Sequence, residues 1–295
     1  EIDALGGSMA KVIDATGIQF RRLNTSRGAA VRSTRAQADS KLYKEEMAKV
    51  IRSTDGITLV EGEVVSLNYK TNGIEGVQLK SGNSLRAPTV VITTGTFLNG
   101  LCHIGDEQFV GGRVGDAPAN FLSTSLKKLG LSLGRFKTGT TPRLDTHSIA
   151  WDRLEIQHGD SPRPFFSFDR VQNDLKQIPC HITNTTPETH KVIADNLHRS
   201  PLYGGIIQGL GPRYCPSIED KIVRFADKAN HTMFLEPEGL DTDWVYPNGI
   251  STSLPRDVQD AFLRTIPGLE DVKVLQHGYA VEYDYSPPTQ LHPTL

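Results

Sequence analysis

Three cysteines, Cys102, Cys180 and Cys215, are the residues of this sequence best suited to nucleophilic chemistry. Cys215 lies in "GPRYCPSIEDK" (211–221), two residues ahead of Ser217, a natural N-cap for the helical pattern "IEDKIVRF". A helix N-terminus and the nearby Arg213 both favour a thiolate, while Glu219 and Asp220 in the first turn partly offset them. Pro216 stiffens the turn that presents the thiol, and Tyr214 can stack on a planar ring. A thiolate held this way is a covalent nucleophile. The same residue also reads as a small buried apolar filler, and the residues alone leave both readings open. Cys180 in the strand-like "IPCHIT" and Cys102 in "GLCHIG" read as core.

Other stretches suit anions. "GIQFRRLNTSRGAAVRSTRAQADSK" carries Arg21, Arg22, Arg27, Arg32 and Arg35 among small residues, and fits either phosphate recognition or a solvated loop. "GGRVGDAPANFLSTSLKKLG" sets glycines and Arg113 ahead of a helix for which Asp116 is the expected N-cap. No P-loop, G-x-S-x-G or C-x-x-C occurs, the histidines show no metal spacing, and no G-x-G-x-x-G stands near the start. No metal is therefore expected.

The elements that must position these residues follow from pattern. Ile2, Leu5, Met9 and Val12 are spaced as one helix face, and Tyr43, Met47, Val50 and Ile51 as another. Asn72-Gly73 and Ser81-Gly82-Asn83 mark the turns of a three-stranded meander. It leads to the unbroken apolar run "TVVITTGTF", read as a strand buried on both faces and ending at Thr94-Gly95. From about Pro142 the texture becomes proline-rich and polar, with a capped helix at Thr186-Pro187-Glu188 and a later one carrying Val258, Phe262 and Ile266. Alternation returns in "GYAVEYDY", with Tyr279, Val281, Tyr283 and Tyr285 on one face. The chain has 295 residues with 32 Lys+Arg against 34 Asp+Glu, which points to two domains or one domain with a large insertion and excludes a strongly basic polyanion binder in bulk but not a local basic patch. Three cysteines without a framework suit a reducing, cytoplasmic compartment. No run approaches membrane-spanning length. Both ends break into patterns abruptly, so the sequence is expected to be an internal portion of a longer protein.

A meander feeding a buried strand that ends in Thr-Gly resembles the second FAD-contact motif of two-dinucleotide-domain flavoproteins. With "EIDALGGSMAKVID", "SRGAAVRSTRAQAD", "GGRVGDAPA", "KTGTTPRLD", "GLGPRYCPSIEDKIVRFADK", "FLEPEG" and "YPNGISTSLP", the sequence closely resembles the MnmG (GidA) family over essentially its whole length. That family is the FAD subunit of the tRNA wobble-uridine 5-carboxymethylaminomethylation enzyme. The resemblance implies an α/β fold of the two-dinucleotide-binding flavoprotein type. A FAD-binding domain with a β-meander would span 1–141, an inserted α+β NAD-binding domain 142–272, and the return to the FAD domain 273–295.

It further implies a homodimer working with the GTPase MnmE on tRNA. Methylenetetrahydrofolate supplies one carbon, glycine or ammonium the amine, and FAD and NADH the redox steps. FAD contacts are expected at Val64, Thr94, Gly95 and Ala119, the last lying where family members can carry serine. NADH contacts are expected along Gly211, Pro212, Arg213, Tyr214, Cys215, Pro216, Ser217, Ile218, Glu219, Asp220, Lys221, Ile222, Val223, Arg224 and Phe225. Cys215 matches one of two cysteines the family is thought to use. The other cysteine and the first FAD fingerprint precede the residue matching Glu1, so this portion by itself is expected to be inactive and to hold FAD weakly. Two alternatives are a folate- and FAD-dependent tRNA uridine-54 methyltransferase and a non-catalytic scaffold for tRNA or a partner.

Overall fold

The computed structural model describes residues 1–71, 73–209, 211 and 216–294. Every strand ladder among them is antiparallel. Helix α1 (Met9–Thr16) runs into strand β1 (Gly17–Leu23), which pairs with β2 (Ser33–Ala38) as a two-stranded ribbon. Asp39 then caps α2 (Ser40–Ser53) by accepting the Leu42 N–H at 3.0 Å. The expected apolar face of α2 is formed but only half-buried. The expected first helix is shorter than its pattern. Gly6 at φ 87° closes a single 3-10 turn over Asp3–Leu5, leaving Leu5 90% exposed while Val12 in α1 is 2% exposed.

The meander forms as expected from β3 (Val64–Lys70), β4 (Gly73–Leu79) and β5 (Ser84–Arg86). Asn72, half of its first turn signal, lies outside the described residues. The buried strand expected at 89–97 does not form. Those residues are irregular, and Val91 is 87% exposed. A continuous apolar run becomes a buried strand only with a partner on each side, and no described strand pairs with it.

Strands β6 (Leu101–Ile104) and β7 (Glu107–Val110) follow, then α3 (Leu122–Lys128) and β8 (Gly134–Gly139). Asp116 is not the cap of α3, contrary to expectation. Its carboxylate is held by Arg113, three residues earlier, at 2.6 Å, and the helix begins later with Phe121 at the N-cap position. Strands β6, β7 and β8 share a four-stranded sheet, in order β7-β6-β15-β8, with β15 (Ala280–Tyr285) from the far end of the chain.

Between them lies a six-stranded sheet in order β10-β11-β12-β13-β9-β14. Its strands are β9 (Arg143–Asp145), β10 (Glu155–Gln157), β11 (Cys180–Asn184), β12 (Thr232–Pro237), β13 (Trp244–Asn248) and β14 (Val274–Gln276). Helices α4 (Pro187–Asp195), α5 (Ile218–Arg224) and α6 (Arg256–Leu263) pack beside it around the main core. Phe262, Leu235, Met233, Ile218 and Ile193 are fully buried there, each side chain worth about 1.5–3 kcal/mol. Local sequence starts two of these helices. Thr186 and Thr189 form a capping box ahead of Pro187, and Ser217 and Asp220 form another. The fold is thus mixed α/β, with antiparallel sheets where a parallel strand was expected.

Candidate functional site

Helix α5 is the element next to the cysteine motif, and its start is over-determined. The Ser217 N–H donates to Asp220 Oδ2 at 3.1 Å, and the Asp220 N–H returns to Ser217 Oγ at 3.3 Å. The Ile218 N–H donates to the Ser251 carbonyl at 2.7 Å. Glu219 is 1% exposed, and its Oε1 accepts both the Thr252 hydroxyl and the Ser253 N–H at 3.1 Å. Lys221 Nζ donates to the Gly249 carbonyl at 2.7 Å, and burial lowers its pKa. Tyr203 donates to Asp220 Oδ1 at 3.1 Å; burial and the neighbouring carboxylate push its pKa up to about 12. The "YPNGISTSLP" block, one of the stretches that carry the resemblance, is therefore the seat of α5. Arg224, Val223 and Phe225 lie on its exposed side, whereas Lys221 is committed inward. Pro212, Arg213, Tyr214 and Cys215 lie outside the described residues.

Upstream, the chain that leads into the motif rests on the four-stranded sheet. The Gly209 N–H donates to Glu282 Oε1 at 2.8 Å. Glu282 also lies beside Arg135, whose Nη1 donates to Asp284 Oδ1 at 2.9 Å. Burial disfavours the charged form of Asp284. The hydrogen bonds from Arg135 and Asn99 outweigh it and hold the carboxyl below its ordinary pKa. His103, 1% exposed, has its pKa lowered by burial, opposed by Glu282. Lys137, 2% exposed, stands directly across the β8–β15 pair from Glu282.

The residues expected to contact FAD fall in one neighbourhood. Val64 and Ala119 pack against the same small core of Leu98, Leu122 and Leu126. Ala119 bridges Leu98 in parallel and donates its N–H to the Phe97 carbonyl at 2.8 Å. The Thr94 carbonyl accepts the Phe97 N–H at 3.1 Å, so the Thr94–Gly95 turn abuts that core. Gly95 has φ 55°, and a Cβ there would meet only Phe97 Cδ2 at 3.9 Å.

The arginine-rich stretch is the β1–β2 ribbon and its loop. Arg35 pairs with Glu236 across to β12, and Arg21 donates to the His158 carbonyl at 2.8 Å. Arg22, Arg27 and Arg32 remain exposed. Cys102 and Cys180 are both fully buried, as expected, and burial pushes each thiol up to about 11.

Sequence reasoning did not single out Glu282, His103 or Lys137, and it gave Glu219 a place in the first turn of α5 and among the expected NADH contacts but not the buried acceptor role seen here. A signal for Glu282 and Asp284 was present. They alternate with the apolar face of "GYAVEYDY", and carboxylates at the centre of a strand covered on both sides need partners. Nothing local distinguishes Glu219 from an ordinary first-turn acid.

Comparison with known proteins places this arrangement. The glucose inhibited division protein A family model matches residues 1–295. The tRNA uridine 5-carboxymethylaminomethyl modification enzyme MnmG of Syntrophotalea carbinolica is 56% identical over the whole chain, which covers 48% of that protein. The enzyme of the same name from Aquifex aeolicus is 52% identical, with 49% of it covered. The form I crystal structure of Aquifex aeolicus GidA superposes with a TM-score of 0.93 at 52% identity, over all of this chain and 50% of that one. The chain spans about half the length of the curated relatives it matches. With a match that runs from its first residue to its last, the chain belongs to the glucose inhibited division protein A family.

Proposed function

We propose that the full protein containing this chain installs a carboxymethylaminomethyl or aminomethyl group at C5 of wobble uridine 34 in tRNA. The observation that carries this reading is the 56% identity along the whole chain to a relative named for that modification. Cys215 is the nucleophile. C5 of uracil is a poor nucleophile, and thiolate addition to C6 makes it enolate-like. C5 then attacks a one-carbon electrophile derived from methylenetetrahydrofolate, with glycine or ammonium as the amine. A base removes the C5 proton, and the C6–S bond breaks to return the thiolate. FAD, when bound, supplies the redox chemistry, with NADH as reductant.

In this reading residues 1–141 and 273–295 belong to the FAD domain and 142–272 to an inserted NAD domain. Val64, Thr94, Gly95 and Ala119 face the flavin cofactor, and the stretch from Gly211 to Phe225 holds NADH. The two capping partners at Ser217 and Asp220, with Glu219 and Lys221 tied to residues 249–253, support it by giving the motif a fixed base. The full protein works in the cytoplasm as a homodimer with MnmE. Among the described residues no helix is long and apolar enough to cross a membrane.

The test is Cys215→Ser in the full-length protein, read by mass spectrometry of tRNA wobble nucleosides. Serine is nearly isosteric, but its hydroxyl stays protonated near neutral pH. Modification is expected to vanish while FAD and NADH still bind and flavin reduction persists. Near-normal modified nucleoside would reject the nucleophile. Loss of flavin reduction as well would make Cys215 a residue of the NADH site instead.

A further inference from the structure

The arginine-rich ribbon is a motif that the reaction above leaves unused. Arg22 on β1, and Arg27 and Arg32 on the loop joining β1 to β2, are exposed. Of the ribbon arginines only Arg35 is ion-paired among the described residues, with Glu236. Arg22 opens onto a groove that it shares with Arg163, Phe165, Phe166, Phe168 and Arg170. Phe168 is 80% exposed, and Arg170 is exposed beside it in sequence. The Arg163 guanidinium lies over the rings of Phe20 and Phe165, 4.5 and 4.7 Å from their centroids. Its Nη2 donates to the Val171 carbonyl at 2.8 Å, whereas Nη1 is buried with no partner among the described residues. Arg163 thus brings a third cation to the groove with donor capacity unspent.

The loop that carries these phenylalanines is firmly seated. Asp14 accepts the Phe166 and Ser167 N–H groups at 3.0 and 2.9 Å, and Asp3 accepts the Phe168 N–H at 2.8 Å. Asp160 accepts the Arg22 N–H at 2.6 Å, and Asp169 is held by Lys11 at 2.6 Å. These carboxylates are spent on backbone groups or on Lys11, and none of them pairs with the guanidinium of Arg22, Arg163 or Arg170. Arginines without counter-ions suit phosphate, and a bare aromatic face suits a stacked base. A nucleic acid strand repeats a phosphate and a flat base at every residue, which is the combination this face offers. We propose that the face running from the β1–β2 loop to residues 163–170 binds a single-stranded segment of RNA. Phosphates lie on Arg22, Arg163 and Arg170, Arg27 and Arg32 extend the track, and one unstacked base lies on Phe168. This rests on the reading of the full protein as one that acts on tRNA.

The test is RNA binding by the full-length, FAD-loaded protein, measured by fluorescence anisotropy over a range of salt. The probes are tRNA and a single-stranded RNA oligonucleotide of about 10 nucleotides. Each phosphate neutralised on a single strand steepens the dependence of log K on log salt by about 0.7. Arg22→Ala and Arg170→Ala are each expected to weaken binding of the oligonucleotide and to make that slope shallower by about 0.7. Phe168→Ala is expected to weaken binding about 5- to 100-fold at every salt concentration and to leave the slope unchanged. All three side chains are exposed, so each variant should melt within about 2 °C of wild type. Arg264→Ala removes an exposed arginine just beyond α6 and is expected to change neither affinity nor slope.

Wild-type affinity in Phe168→Ala, wild-type slopes in the two arginine variants, or an Arg264→Ala protein as weakened as Arg22→Ala would each overturn the proposal. The first leaves a phosphate patch with no base platform, and the last a dependence on total charge alone. The binding assay involves no turnover, so it is independent of the reaction. If cells lacking the gene keep their wobble-uridine modification while the binding results hold, the proposed reaction fails and this surface stands. If those cells lose the modification while the three variants bind RNA as wild type does, the surface fails and the reaction stands.

Discussion

Removing the Glu219 carboxylate tests whether α5 is fixed by its buried acceptor. Its Oε1 serves two donors, the Thr252 hydroxyl and the Ser253 N–H, both at 3.1 Å and both on residues 1% exposed. In Glu219→Ala these donors lose their partner inside a site with no access to water. An unsatisfied buried donor costs about 1–3 kcal/mol, so the pair and the small cavity together come to about 3–5 kcal/mol. At roughly 2 °C per kcal/mol, the melting temperature of the cooperative unit should fall by about 6–10 °C. Glu219→Gln behaves differently. Its amide oxygen occupies the Oε1 position and keeps both bonds, while its amide nitrogen replaces Oε2, which has no partner among the described residues. One unpartnered atom is exchanged for another and a buried charge is removed, so the variant should melt within about 1 kcal/mol of wild type. The assay is thermal melting of the full-length variants, with the NADH dependence of flavin reduction measured alongside. On the proposed NADH role of residues 211–225, Glu219→Ala should also raise the NADH concentration needed, because α5 loses its tie to 252–253. A Glu219→Ala protein that melts within about 2 °C of wild type, or a Glu219→Gln protein as damaged as Glu219→Ala, would refute the reasoning.

Both Cys102 and Cys180 have thiols pushed up from 9.0 to about 11 by burial, so the folded state holds their protons more tightly than the unfolded one. Their contribution to stability is complete below pH 9.0 and lost as pH rises toward about 11, visible as a falling urea midpoint that Cys102→Ala or Cys180→Ala makes shallower. Gly76→Ala places a Cβ 1.9 Å from the Leu85 carbonyl oxygen at φ 138°, so it should break the β4–β5 pairing and, on the proposed FAD role of Val64 on β3, lower FAD retention in the full protein. Asp14 is fully buried and accepts the Phe166 and Ser167 N–H groups at 3.0 and 2.9 Å. Asp14→Ala should cost about 2–5 kcal/mol in a denaturant melt, and a cost under about 1 kcal/mol would show that water replaces the carboxylate.

What the sequence made legible is local. The caps at Thr186 and Ser217 depend on residues three apart, and both formed. The meander depends on alternation and tight turns, and it formed. The burial of Cys102 and Cys180 follows from strand patterns alone. The misreadings have two physical causes, a competing local interaction in two cases and a missing long-range partner in the third. Asp116 has every attribute of a cap, but Arg113 takes its carboxylate first. The run at 89–97 has the composition of a buried strand but no described partner. Ile2 and Leu5 have helical spacing, but Gly6 turns left-handed between them and Met9. The site was hidden because its partnerships are long-range. Glu282 meets Gly209, and Glu219 meets Thr252, across long stretches of chain, so neither partnership leaves a short-range signature.

Those two long-range partnerships also constrain how the motif is held. Gly209 is fastened to β15 in the four-stranded sheet, whereas Ile218 and Glu219 are fastened to residues 251–253, which continue from β13 in the six-stranded sheet. Residue 209 and the start of α5 are therefore fastened to different sheets. The sheets are themselves joined close by. The Gly105 N–H, in the turn after β6, donates to the Ser253 carbonyl at 2.7 Å, and the Thr252 N–H donates to the Thr140 carbonyl, just past β8, at 3.3 Å. A shift of one sheet against the other must strain these bonds and move residue 209 relative to the start of α5. The chain at 209 and helix α5 are thus both coupled to the seam between the sheets, each through a buried carboxylate, Glu282 at one and Glu219 at the other.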